Sequence, residues 1–205
     1  MNNLKTEERE RIFNCVKSLF LKEGFYKISM DTLAAELKIS KKTIYKYFPS
    51  KEAIVNEIVK TIQKEMSIRL DEILQSKKNA VIKLIHINKL IGSLLFELND
   101  TWINDLRIHL PKLWQGIDEF RTQRLFGGIN IIVKQGQKQQ LIKNLPPEMI
   151  VIVFVSALRG VINNEFLLNS NFSYKDAIQT TLQILFSGIL TPKGLKVFQK
   201  SFKKV

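Results

Sequence analysis

Apolar residues recur at helical spacing through most of the chain. Ile12, Phe13, Val16, Leu19 and Phe20 fall at i, i+1, i+4, i+7 and i+8, which places them on one face of a first helix. Gly24 then supplies a C-terminal cap. Ser29 opens a second, short helix containing Leu33, Ala34 and Leu37, and Ser40 a third whose apolar members are Ile44 and Phe48. Pro49 stops the third, because the residue before a proline is pushed out of the helical region. Ser50 caps a fourth, with Ala53, Ile54, Ile58 and Ile62 on its apolar face, that runs to about residue 75.

Longer periodic segments follow at 79–98, 100–109, 111–140, 147–169 and 173–190, with a basic tail after Pro192. Pro111 and Pro147 suit first-turn positions, where a missing N–H costs nothing, and "NLPPE" at 144–148 separates two of the segments. "MIVIVFV" at 149–155 is rich in β-branched residues and would suit a buried strand as well as a helix. It continues through "SALRGVINNEFLL" without a turn signal, too long for a strand, and no second strand-like segment exists to pair with it. A helix is predicted there too, which makes the fold class all-α.

A length of 205 residues admits one or two domains, and 45% hydrophobic with 25% charged residues is an ordinary globular composition. Thirty-two Lys and Arg against 19 Asp and Glu give a formal charge of +13, so nucleic acid or an anionic membrane surface comes first among partners. The lone Cys15 rules out an intramolecular disulfide, and "MNNLKTEERERIF" has charges where a signal peptide would carry its apolar segment, which together predict a cytoplasmic protein. No apolar run reaches the roughly 18–20 residues of a membrane span. His86 and His109 lie far apart, and there is neither a Gly-rich phosphate loop nor metal-ligand spacing, so no catalytic site, metal or cofactor is expected.

Charge becomes specific at "SMDTLAAELKISKKTIYKYF", two short helices joined by the tight "LKIS" turn at 37–40, a helix-turn-helix candidate. At 100° per residue Ile44 and Phe48 set the buried side of the third helix, leaving Lys42, Thr43 and Lys46 opposite and Tyr45 and Tyr47 on the flanks. Lys41 and Lys42 fall in its first turn, where the helix dipole disfavours cations. A phosphate backbone would turn that repulsion into attraction. Ser50 and Lys51, opening the fourth helix, offer a second phosphate grip, and no acid occurs between Lys38 and Lys51. Lys42 and Lys46 have the chemistry to donate to guanine N7 and O6, and Thr43 or a tyrosine ring to touch a thymine methyl.

Over roughly residues 8–60, "ISMDTLAAELKISKKTIYKYFPSKEAIV" closely resembles the N-terminal signature of the TetR family of bacterial transcriptional regulators, the "TIYKYFPSKEAI" portion most specifically. The resemblance implies an all-helical homodimer with a helix-turn-helix DNA-binding domain over 1–52, the start of a linking fourth helix to about residue 75, and a helical regulatory and dimerisation domain over 53–205. It further implies operator DNA as partner, repression as the usual outcome, and a possible small-molecule effector. Position by position it makes Lys41, Lys42, Thr43, Tyr45, Lys46 and Tyr47 recognition-helix contacts, and Ser29 and Lys51 phosphate clamps. Lys38 stands where many members carry glycine, so the turn departs from the family pattern.

Beyond residue 75 the resemblance fades. In relatives, helices placed like 149–158 and "AIQTTLQILFSGIL" at 177–190 pair across a dimer axis; 149–158 would equally suit the internal core. Phe96, Trp102, His109, Trp114 and Phe120 mix aromatic and polar character as an effector cavity would, although aromatics at helical spacing mostly fill cores, and no pocket residue is assigned. The tail "PKGLKVFQKSFKKV" reads as a terminal helix capping the core, with DNA or membrane contact as the alternative. The rival to a DNA-binding regulator is a basic peripheral membrane or structural protein without operator specificity; no membrane partner is expected.

Overall fold

The computed structural model describes residues 2–162 and 171–202. Its helices are α1 (Asn2–Glu23), α2 (Met30–Leu37), α3 (Lys41–Tyr47), α4 (Lys51–Gln75), α5 (Ala80–Glu97), α6 (Asp100–His109), α7 (Pro111–Phe120), α8 (Phe126–Lys138), α9 (Pro147–Ile162), α10 (Tyr174–Ile189) and α11 (Pro192–Phe202). The fold is all-α, an N-terminal helix-turn-helix domain followed by a helical bundle. The segment 111–140, predicted as one helix, changes pitch on the way: α7 passes into α8 through a π turn at Arg121–Leu125. Of the helix predicted over 147–169, residues 163–169 lie outside the described residues, as do the last three of the basic tail. No described helix is long and apolar enough to cross a membrane.

Serine caps set the N-terminal helices. Ser29, Ser40 and Ser50 each accept the backbone N–H three residues ahead, from Thr32, Thr43 and Ala53, at 3.0–3.1 Å. Between α2 and α3 the chain turns at Lys38, which sits in the left-handed region at φ 54° and ψ 42°, the conformation that glycine adopts freely. A lysine there holds the tight turn at a strain cost that the surrounding core must offset.

The chain divides into two compact units, Met1–Lys64 with Glu97–Ile117, and Glu65–Phe96 with Asp118–Val205. In the first, Ile12, Val16, Phe20, Leu33, Ile44, Phe48, Ile54 and Ile58 are buried. Burying each such side chain contributes about 1.5–3 kcal/mol, and this burial fixes which side of α3 is left outward. Trp102 of α6 completes this core, its ring edge-on to Phe25 at 5.4 Å. Asn99, at the start of α6, donates its backbone N–H to the Leu21 carbonyl of α1.

The second unit is built on Leu70, Ile87, Ile132, Val133, Phe154 and Phe186, with Phe154 of α9 and Phe186 of α10 at 5.4 Å. Helix α9 serves two surfaces at once. Ile150, Phe154 and Val155 enter the core, whereas Met149, Ile152 and Val153 are exposed, 49–58% of each accessible.

Gly24 is one position where the fold admits no side chain. Its φ is +83°, and a Cβ there would stand 2.6 Å from Asp105 Oδ2 and 2.7 Å from Thr101 Cγ2. Gly24→Ala is therefore expected to destabilise the protein by about 1–3 kcal/mol, read from urea unfolding followed by circular dichroism. An unchanged midpoint would contradict this packing.

Candidate nucleic-acid interface and effector cavity

Burial of Ile44 and Phe48 turns the rest of α3 outward as predicted: Lys41, Lys42, Tyr45 and Lys46 are exposed, Thr43 and Tyr47 half-buried. The electrostatics differ from the expectation. Lys41 is not left without a compensating acid, because Asp31 of α2 reaches it at 2.8 Å. Hydrogen bonding to Asp31 raises the Lys41 ammonium above the usual lysine range. Lys46 donates to the Tyr47 hydroxyl at 3.1 Å, and both turn toward Glu8 of α1: the Tyr47 hydroxyl donates to its carboxylate, and Lys46 lies 3.7 Å from it. The bond to Tyr47 is the main cause raising Lys46 above its ordinary value. The stretch 38–51 does lack acids, but two other helices provide them.

Lys42 is different. Among the described residues it makes no ion pair or hydrogen bond, and with the outward Tyr45 ring it forms the open centre of the face. Thr43 shares a hydroxyl hydrogen bond with Ser40 at 2.9 Å, and Ser29 does the same with Thr32 at 2.9 Å, so both expected contacts also serve as part of a cap.

Lys51 is the most committed of the cations. Its ammonium donates to the backbone carbonyls of Phe25, Tyr26 and Ile28 at 2.9, 2.9 and 3.0 Å, which uses all three of its hydrogens. Burial lowers its pKa, against an opposing pull from Asp105. Asp105 of α6 in turn accepts the N–H groups of Phe25 and Tyr26 at 2.7 and 2.8 Å. The loop between α1 and α2 is thus held by a cation on its carbonyls and an anion on its amides. His109 stacks flat on Tyr26 at 3.4 Å beside them. Nothing local in the sequence announces Glu8, Asp31 or Asp105, since each meets its partner across helices that only the fold brings together.

The second unit contains a cavity of about 60 Å³, walled mainly by Ile91, Leu125, Phe126, Ile129, Val155 and Ile178. At its margin Asp118 accepts from Arg121 at 2.9 Å and from Arg159 at 2.9 Å, while Arg121 also donates to the Tyr174 hydroxyl at 2.8 Å. None of the aromatic candidates lines it. Trp102 is core in the other unit, His109 stacks on Tyr26, and Phe96 is 79% exposed beneath Lys175. Its apolar walls, Phe126 among them, carry no sequence signature that distinguishes them from core.

A model of the tetR family of bacterial regulatory proteins matches residues 17–58, the stretch that holds α2, α3 and the start of α4. The chain is 24% identical over 172 residues to the uncharacterized HTH-type transcriptional regulator YvaF of Bacillus subtilis, covering 82% of this chain and 89% of that protein. It is 26% identical over 180 residues to the nucleoid occlusion factor SlmA of Photobacterium profundum, covering 84% and 90%. Among solved structures, a Saccharomonospora viridis chain in complex with choline superposes with a TM-score of 0.68 at 19% identity, covering 91% of this chain and 99% of that one.

Lys51 and Lys42 should separate by stability. Lys51→Met, which strands three carbonyls, is expected to cost about 1–2 kcal/mol, and Lys42→Ala less than about 0.5 kcal/mol, both in urea unfolding. Equal stability of the two variants would show that the Lys51 ammonium does not hold the loop.

Proposed function

We propose that the chain, whose helix-turn-helix stretch matches the tetR family of bacterial regulatory proteins, is a DNA-binding transcriptional regulator that works as a cytoplasmic homodimeric repressor released from its operator by a small molecule. The carrying observation is α3: a short, anchored helix with its basic and aromatic side turned outward. In this reading residues 1–52 are the DNA-binding domain, α4 links it onward, and 53–205 regulate and dimerise. Lys42, Thr43, Tyr45 and Lys46 address base edges in the major groove, with Lys46 leaving Glu8 to do so. Lys41 and Tyr47 adjust from Asp31 and Glu8 toward phosphates. Ser29 contributes a hydroxyl from its cap. Lys51 acts at the phosphate backbone chiefly by holding the 24–28 loop in place.

Two half-sites require two copies of α3. The exposed stripe of α9, Met149, Ile152 and Val153, and Ile184 on the outward side of α10 support a self-complementary interface. Gly160 and Gly188, with open space where a side chain would stand, permit close helix approach there. The effector reading rests on the cavity beside Arg121 and Arg159. At about 60 Å³ it holds on the order of two waters, so an effector must open it. The π turn at Arg121–Leu125, which contributes Arg121 and Leu125 to the wall, is the segment suited to yield.

Selecting genomic fragments with the purified protein tests the operator; failure to enrich any fragment at physiological salt refutes the proposal, and screening small molecules for release of the enriched fragment tests the effector. Lys46→Ala is expected to relax preference at one base position of that fragment, whereas equal losses on operator and scrambled duplex would remove it from base contact. Ile184→Glu should shift the protein from dimer to monomer in analytical ultracentrifugation, and a dimer of unchanged affinity would place the interface elsewhere.

A further inference from the structure

The surplus charge is not where the recognition helix is. The unit containing α3 holds 15 Lys and Arg against 11 Asp and Glu, whereas the unit Glu65–Phe96 with Asp118–Val205 holds 17 against 8. Most of the +13 therefore belongs to the second unit. Three acid-free stretches account for it: 73–96, 120–147 and 177–205. Meanwhile Asp71 is paired with Arg124, and Asp118 with two arginines, so these acids leave the lysines unneutralised.

The fold sews these stretches together. Gln135 of α8 donates to the Lys78 carbonyl at 3.0 Å, and Gln139 accepts from the Ala80 N–H at 2.9 Å, which joins the end of α8 to the loop before α5. Thr191 donates its N–H to the Leu141 carbonyl at 3.1 Å and its hydroxyl to the Gln140 carbonyl at 2.9 Å. Gly194 sits so closely on Leu141 that a Cβ would meet its carbonyl at 2.1 Å, which seats the start of α11 on the end of α8. Lys77 and Lys78, then Lys134 and Lys138 one turn apart on α8, then Lys193 and Lys196 on α11 consequently share one end of the unit. All are exposed, and among the described residues none forms an ion pair.

We infer that this lysine surface is a second, sequence-independent binding site for duplex DNA, acting on a segment other than the one read by α3. Its composition selects the partner. Lysines without arginines act as hydrated point charges, suited to phosphate backbone and ill suited to the bidentate pairing that acidic protein segments favour. A membrane anchor needs an apolar face beside the charges, but Leu195, Val197 and Phe198 of α11 are half-buried against the protein, and Ile131 and Leu145 are exposed singly. Protein interfaces are depleted in lysine. The surface has no groove-reading element, so it would hold DNA without choosing a sequence.

The test compares the wild type with K134E/K138E/K193E/K196E, and with the corresponding glutamine variant in case charge reversal perturbs folding. On a non-operator duplex, measured by anisotropy, the variant should flatten the slope of log K against log salt by about 3.6, near 0.9 for each of the four lysines lost. Operator duplex immobilised and saturated with wild type should capture a labelled second duplex, and with the variant at least tenfold less, while affinity for a short operator stays within twofold. An unchanged slope, or no second-duplex capture by wild type that does bind the operator, overturns the inference. So does retention of phosphatidylserine vesicles at a salt concentration where no second duplex is held. Failure of the chain to bind any operator would instead strike the reading of α3.

Discussion

A single loop, residues 24–28, is gripped from both sides by opposite charges, and the placement of α3 follows from that grip. Lys51, the first residue of α4, holds its carbonyls; Asp105 of α6 holds two of its amides. A helix of seven residues such as α3 has no stability of its own, since nucleation alone is unfavourable and packing must supply the difference. Ile44 and Phe48 anchor it from below, and the loop fixes where α2, its neighbour in the motif, begins. Hence a half-buried ammonium and a carboxylate that touch no part of α3 decide where its side chains stand.

That arrangement also explains why α6 packs with the N-terminal helices rather than with the bundle that surrounds it in sequence. Trp102 fills the core beside Phe25, Asn99 bonds to Leu21, and Gly24 is stripped of a side chain to admit Asp105 and Thr101. A movement of α6 is therefore transmitted to the loop through directed hydrogen bonds and a stacked Tyr26–His109 pair as well as through the Trp102–Phe25 ring contact.

What periodicity and capping determine is legible in the sequence. Ser29, Ser40 and Ser50, Gly24, Pro49 and the buried pair Ile44 and Phe48 are local signals, and the helices follow from them. Pairings between helices are not, because a carboxylate on another helix, whether the nearby Asp31 or the remote Glu8, leaves no mark on the spacing of a lysine. Lys41 reads as uncompensated and is held by Asp31; Lys51 reads as available and is occupied by three carbonyls. The π turn at 121–125 is hidden for a different reason: its residues keep an ordinary apolar rhythm, and only the backbone pairing changes. The segment 149–158 is one apolar run with no local sign of which side is covered, and α9 gives one face to the core and another to the surface.

The carboxylates of Glu8 and Asp31 behave as tethered counterions for Lys46 and Lys41. Were such a lysine to move to a phosphate, as the proposed function requires, its abandoned carboxylate would stay nearby and draw mobile cations back, so fewer ions would be freed per contact than a bare lysine would free. On the proposed reading of α3, encounters with arbitrary DNA would thereby be brief, and a duplex would have to present fitting base edges before the exchange of partners became favourable.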